Sequence, residues 1–565
     1  MNRKIAGSVA AAAVLTMGIA ACGSSSPGSS SSSGSNPLTI VTTAVSPMVD
    51  NFNPFNPGSI GYVTHSVNLY DMPLMVYNTQ NTAEQPEHEL ATAAVWSNGG
   101  RTLTITTRSG VKWSDGKPFS ASDVAYTFNL IKNNAALNAN WTIPIPASVQ
   151  ATNATTTVLT FSQPELASAY YILQTPIVPE HIWKNVGNPL KYTDANPVGT
   201  GPYVLDHFSS TGYTMKLNPD YYAKASLKVP ELSFPSYAGN ANLLPPCSDG
   251  TIDWCGISIV GVPQNYLGKS KDNKTWTGSA PYFSDNNVVG LFFNTTKAPL
   301  NDPAVRQAVS YAINRQQLST TGESNNEPAE TTTAGMILPA QSSYLPSSLA
   351  NNIPTTGDTA KSATILQKDG YKLVGHKWVK GGKQITFSIQ VPQQYTDYYE
   401  DAQLLVKQLN AAGFNTSVDA IPGTNGGTIW GANVEKGDFQ TAIHWGAQGL
   451  TPYFTYNNWM NYSLSAKTGT EAGADYGRFD DPAAQQALSA YQAASTPAAL
   501  SAAINTLANI ETTQVPVVPL LQGASWAEFS SRNYTGWPTK ANAYMDPGPN
   551  IPEVLAVVQQ LKPVS

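Results

Sequence analysis

Three cysteines and six histidines are the side chains of this 565-residue sequence best suited to covalent or metal chemistry. A zinc helix needs two histidines one turn apart, with a glutamate between them. The stretch EHELAT (87–92) begins that pattern, but Thr92 stands where the second histidine is required. The other histidines are scattered, and no G-x-S-x-G elbow exposes a nucleophilic serine. The chain therefore reads as a protein that catalyses nothing, binds no metal and needs no cofactor.

The cysteines speak of export instead. Residues 1–21 carry Arg3 and Lys4 ahead of the apolar run IAGSVAAAAVLTMGIAA, the layout of an export signal. Ile19-Ala20-Ala21-Cys22 resembles the lipobox of bacterial lipoproteins, in which the cysteine receives a diacylglyceryl group. Acyl chains contribute roughly 0.8 kcal/mol per buried methylene, enough in combination to hold a protein at a membrane. The run GSSSPGSSSSSGSN (23–36) then reads as a flexible tether reaching roughly 20 Å. Export permits disulfides, and lipidation of Cys22 leaves an even pair, Cys247 and Cys255, in CSDGTIDWC. These two are expected to be bonded; without a nearby histidine their spacing suits a metal poorly.

Composition agrees. Only 12% of residues are charged, about half the usual share. Without residues 1–21 the chain has 29 basic and 37 acidic residues, a net charge of −8. No Lys/Arg-rich block is present, which excludes nucleic acid as a partner.

The elements alternate between strand and helix, an α/β pattern. LTIVTTAV (38–45) reads as a buried strand, and RTLTITTRSGVKWSDGKPF (101–119) as strand, turn, strand, turn. Ser120 and Asp123 form a capping pattern for a helix whose Val124, Phe128 and Ile131 share a face. Asp302 and Pro303 open another helix, with Ala304, Val305, Ala308, Val309, Ala312 and Ile313 as its inner stripe. A further helix is expected over 397–412, packing Ala402, Leu405, Val406 and Leu409 inward and closing at Gly413. FNTSVDAI (414–421) and FQTAIHW (439–445) read as strands.

Six segments in this order resemble the extracytoplasmic solute-binding proteins of peptide and nickel ABC importers, solute-binding family 5. They are GVKWSDGKPFSASDVAYTFNLI (110–131), GTGPYVL (199–205), FFNTTKAPLNDPAVRQAVSYAINR (292–315), DTAKSATILQKDGY (358–371), GDFQTAIHW (437–445) and VPVVPLLQGASW (515–526). The resemblance implies a two-lobed periplasmic-binding-protein fold of type II, α/β in class, with a hinge and an inserted domain. Lobe I would comprise 36–75, 197–289 and 516–565, the insertion 76–196, and lobe II 290–515. Ligand would be gripped between the lobes of a monomer, which then docks on a membrane permease.

For the ligand site, the family places an aromatic residue of the cleft at the end of the GDF…W strand, here Trp445. His444 and Gln448 are its neighbours, and Trp430, Tyr62 and Trp141 are expected in loops facing the cleft. Arg306 reads as structural. Oligopeptide binders of the family carry an aspartate three residues after this tryptophan, where it meets the peptide ammonium group; here the residue is Gln448. Either another acid serves, such as Asp50 or Asp71, or the ligand has no free amine. An oligopeptide is the first expectation and a cello- or xylo-oligosaccharide the alternative, with a nickel chelate or an exported hydrolase behind them.

Overall fold

The structure, a computed structural model, describes residues 36–139, 141–423 and 426–564. Cys22, the export signal and residues 22–35 of the tether lie outside the described residues.

The chain builds two main mixed sheets. The first has seven strands in the order Asn273–Lys274, Glu528–Ser530, Trp254–Cys255, Leu38–Val41, Glu231–Pro235, Gly212–Leu217 and Tyr203–Ser209. Leu38–Val41 runs parallel to both of its neighbours. Its Leu38, Ile40 and Val41 are all buried, with Thr39 half-buried between them, as suits a central parallel strand covered on both faces.

The second sheet has five strands in the order Asn415–Ile421, Thr386–Pro392, Thr441–Trp445, Ser284–Phe293 and Val517–Ser525. Its strand Ser284–Phe293 shows the two-residue period directly. Val288 and Phe292 enter one apolar cluster, while Val289, Leu291 and Phe293 enter the cluster on the other face. Chain leaving the seven-stranded sheet enters the five-stranded one through Ser284–Phe293 and returns through its antiparallel partner Val517–Ser525, just ahead of Glu528–Ser530. This strand pair joins the two lobes. A separate four-stranded antiparallel sheet spans Ala91–Ser97, Thr102–Thr107, Thr156–Thr160 and Ser148–Asn153.

Local signals act where expected. Ser120 and Asp123 form a complete capping box for the helix Ala121–Asn133, whose Val124, Phe128 and Ile131 are fully buried. The Asp302 carboxylate accepts the Ala304 N–H at 3.0 Å, starting the helix Pro303–Ala312. The helix Thr396–Ala411 ends ahead of Gly413, whose φ of +95° uses glycine's freedom to turn left-handed. EHELAT lies partly in the strand Glu87–His88, not in a helix.

The expected second strand after Thr107 does not form. Around KWSDGKP, Trp113 N donates to Lys117 O and Phe119 N donates to Val111 O, leaving only an isolated bridge from Lys112 to Pro118. Pro118 has no N–H with which to extend the ladder.

Cys247 and Cys255 are bonded, tying the helix Asn240–Ser248 to the strand Trp254–Cys255. A loop of this size removes on the order of 2–3 kcal/mol of denatured-chain entropy. The double variant Cys247→Ala/Cys255→Ala should lose about that much stability in denaturant titration; an unchanged midpoint would contradict the assignment.

Candidate functional site

Strand ends of both sheets converge on one cleft. The strand Leu38–Val41 leads to Thr43, Trp254–Cys255 leads to Ile257 and Ser258, Thr386–Pro392 leads to Tyr395, and Thr441–Trp445 ends on Trp445 itself. All of these residues line a cavity of about 410 Å³. The carboxyl ends of strands are where open α/β sheets place their ligands, because there the chain turns into loops free to carry polar groups.

One wall carries Ile257, Val260 and Trp526, and the other Tyr395, Tyr398 and Trp445. Trp445 is the last residue of its strand, paired with Val289, and remains 43% exposed. Its ring is held at 6.4 Å from Tyr398 and 5.5 Å from Trp430.

Acidic groups complete the lining: Glu323, Glu327, Asp397 and Glu400. Glu327 is buried; it accepts the Ala524 N–H at 2.9 Å through Oε1, while Oε2 has no partner. Burial, the Ala524 bond opposing it, and the negative fields of Asp397 and Asp285 leave the Glu327 carboxyl pushed up to about 8. Burial followed by the charges of Glu327, Asp401, Asp397 and Glu400 holds Glu323 well above the ordinary range. Asp401, fully buried beneath them, is raised in the same way. Among the described residues no lysine, arginine or histidine lines the cavity, and none of their ion pairs reaches these carboxylates.

His444 and Trp430 support the site from behind. His444 is buried, stacks on Trp430 with ring centroids 4.9 Å apart, and places Nδ1 2.6 Å from Trp445 O. A carbonyl only accepts, so Nδ1 carries the proton. Burial holds the imidazole down at about 4, against the pull of that hydrogen bond, so it stays neutral. Trp430 lies buried in the helix Gly426–Lys436, not in an exposed loop, because its apolar ring packs under Tyr395 and Trp445.

The remaining expected residues lie elsewhere. Tyr62 sits in the short helix Ile60–Val63 and packs edge-on against Trp141 at 6.2 Å. Trp141 is buried in the apolar cluster that also holds Leu38 and Ile40, its indole N–H donating to Pro54 O at 3.0 Å. Neither lines the cavity. Gln448 is half-buried, with Nε2 3.4 Å from Glu553 Oε1, and does not line it either. Asp50 is exposed and Asp71 is buried, both outside the cavity. Arg306 donates to the backbone carbonyls of Gln514, Val515 and Leu300, a structural role.

Glu323, Glu327, Asp397, Tyr395, Tyr398 and Trp526 were not anticipated. The signal was present in GESNNEPAE (322–330) and YTDYYED (395–401), two acid-rich stretches in a chain of few charges.

The raised carboxyls have a pH consequence. Glu327 at about 8 and Glu330 at about 7 are protonated in the folded state where the unfolded chain is ionised. Their contribution is full below the ordinary carboxylate range and is lost as pH rises through about 7 to 8. His444, held down at about 4, works oppositely but only below its ordinary value of 6.5. Between pH 6.5 and 8 the carboxyls therefore dominate, and the melting temperature of the unliganded protein should fall across that window. Glu327→Gln should flatten the decline. A melting temperature that rises from pH 6.5 to 8 would contradict these assignments.

Two α/β sheets linked by a strand pair, with a cavity at their facing strand ends, define a two-lobed binding protein. A model of the bacterial extracellular solute-binding proteins, family 5, matches residues 85–466. The chain belongs to that family. It is 26% identical over 260 residues to the oligopeptide-binding protein OppA of Bacillus subtilis, covering 42% of this chain and 46% of the relative. The match thus spans about half the length of that curated relative. The structure of a periplasmic oligopeptide-binding protein from Thermotoga maritima superposes with a TM-score of 0.84 at 24% identity, covering 93% of this chain and 99% of the other. A mannohexaose-bound structure of the Thermotoga protein gives 0.79, again at 24% identity, covering 94% and 99%.

Proposed function

We propose that this chain is the substrate-binding component of an ABC importer, capturing an extracellular oligopeptide between its lobes and passing it unaltered to a membrane permease. The observation that carries this reading is the cavity at the strand ends of both sheets, walled by aromatic rings and hydrogen-bonding acids. Such a lining suits a flexible ligand whose apolar and polar parts alternate. The lobes correspond to 36–75, 197–289 and 516–565 on one side and 290–515 on the other, with 76–196 inserted in the first. The protein acts as a monomer, held on the outer face of the membrane through a lipidated Cys22.

An oligosaccharide is the second reading. Tyr395, Tyr398, Trp445 and Trp526 offer ring faces on which sugars stack, and a structure of the Thermotoga neighbour holds mannohexaose. A thermal-shift panel separates the two. Short peptides should raise the melting temperature and cello- or xylo-oligosaccharides should not; the reverse pattern rejects the peptide reading. Cys22→Ser should release the protein into the medium, and retention on the membrane would reject the anchor.

A further inference from the structure

Acidic side chains at a protein surface are ordinarily solvated or paired. Of the four in this cleft, Glu400 is exposed and Asp397 half-buried, whereas Glu323 and Glu327 are buried, and none joins an ion pair among the described residues. Glu323 and Glu327 are 3% and 4% exposed, and each has one carboxylate oxygen, Oε1 and Oε2 respectively, without a hydrogen-bond partner. Burying an ionised carboxylate without a counter-charge is costly, so in the empty cleft burial favours the neutral, protonated form of both groups, and an arriving cation would supply the missing counter-charge.

The helix Thr396–Ala411 points its N-terminus into the same cavity, which on its own would favour an anion. That end is already answered, because the Asp397 carboxylate accepts the Tyr398 N–H at 2.8 Å. What remains is a lining with four acids and no basic side chain. Tyr398 and Trp445, ring types that attract a desolvated cation, line the same cavity as the acids.

We propose that the cleft selects a cationic ligand, an oligopeptide whose lysine or arginine side chain lies between the Glu323–Glu327 carboxylates and the Tyr398 and Trp445 rings. This deepens the proposed function and rests on it. It also supplies the counter-charge absent at Gln448: the acids come from the 322–330 loop and the start of the helix Thr396–Ala411, not from the segment after Trp445.

The site has a built-in proton linkage. The groups interacting with Glu327 are Glu323, Asp397, Asp401, Asp285 and the Tyr398 hydroxyl, of which the carboxylates repel a charge on it, while Glu400 acts on Glu323 and Asp401. Lys540 acts on Asp285 and Arg315 on Glu330, not on Glu327. A bound ammonium or guanidinium group favours the ionised carboxylates, so binding releases protons and tightens as pH rises towards 8.

The test is calorimetry on the full soluble chain with N-acetylated pentapeptides of one sequence, carrying Lys, Arg, Gln or Glu at a single position. Acetylation removes the α-ammonium group, so only the side chain differs. Spermidine serves as a non-peptide polycation. The Lys and Arg peptides should bind at least 10-fold tighter than the Gln peptide and release protons on binding. Glu327→Gln should bring the affinities for the Lys and Arg peptides down to within about threefold of that for the Gln peptide and abolish the proton release; a preference that persists in this variant overturns the inference. Should Glu327→Gln misfold, Glu323→Gln and the peptide series on the unaltered protein give the same reading. Equal affinity for Lys and Gln peptides, or preference for Glu, overturns the inference and leaves peptide import standing. Spermidine binding without any peptide binding upholds the cation site and overturns the peptide reading; oligosaccharide binding alone overturns both.

Discussion

Trp445→Ala should weaken ligand binding by about 30-fold or more, with little loss of stability. Partly exposed aromatic side chains that line a cleft behave as binding hot spots, worth about 2 kcal/mol or more on truncation. Trp445 fits that description: it ends its strand, lines the cavity and is 43% exposed. The pairing of Thr441–Trp445 with Ser284–Phe293 runs through the backbone and survives removal of the ring. Buried neighbours behave differently. Trp430 is 2% exposed, and its loss should lower stability first and affinity only through the position of Trp445. Calorimetry and thermal melts on Trp445→Ala, with Trp445→Phe as the conservative partner, check this. Unchanged affinity, or the loss of a cooperative melt, would assign Trp445 to the core.

Arg315→Ala should cost about 3–5 kcal/mol of stability, the range for removing one member of a buried charged network. Arg315 is fully buried, and its guanidinium donates to Pro519 O at 2.7 Å, Ser310 O at 2.9 Å and Ser310 Oγ at 3.0 Å. Its positive field also holds down Glu330, whose Oε2 accepts the Thr331 N–H at 3.0 Å and whose Oε1 is bonded by Gln522. Pro519 and Gln522 belong to Val517–Ser525, one of the two strands joining the lobes. The variant therefore strands two buried carbonyls and leaves Glu330 further from ionisation. Arg315→Lys keeps the charge but not the planar fork, and should recover only part of the loss. Urea titration measures both; a cost under about 1 kcal/mol would show that the network contributes nothing net.

What could be read in advance follows the range of the interactions. Ser120 with Asp123, and Asp302 with Pro303, act within one helical turn, so their helices begin where the sequence places them. Apolar strands such as Leu38–Val41 are equally local signals. Trp445 was legible for another reason: it stands at the end of a motif strand, and the structure puts it in the cavity wall.

The acids were not legible because their character arises from distance. Glu327 is bonded by Ala524 N, 197 positions away, and its carboxyl is pushed up only once the fold buries it and brings Asp397 and Asp285 close. Read locally, GESNNEPAE is a polar loop. Trp141 and Trp430 fail for the opposite reason. Both sit amid polar and small residues that suggest exposure, yet Pro54 closes over the first and His444 over the second.

The most direct test of the account is native mass spectrometry of the protein taken from its host cells without denaturation. The account predicts a non-covalent adduct, released intact on unfolding, whose fragments read as an oligopeptide containing lysine or arginine. An oligosaccharide in its place, or a bound compound converted during incubation, would contradict it.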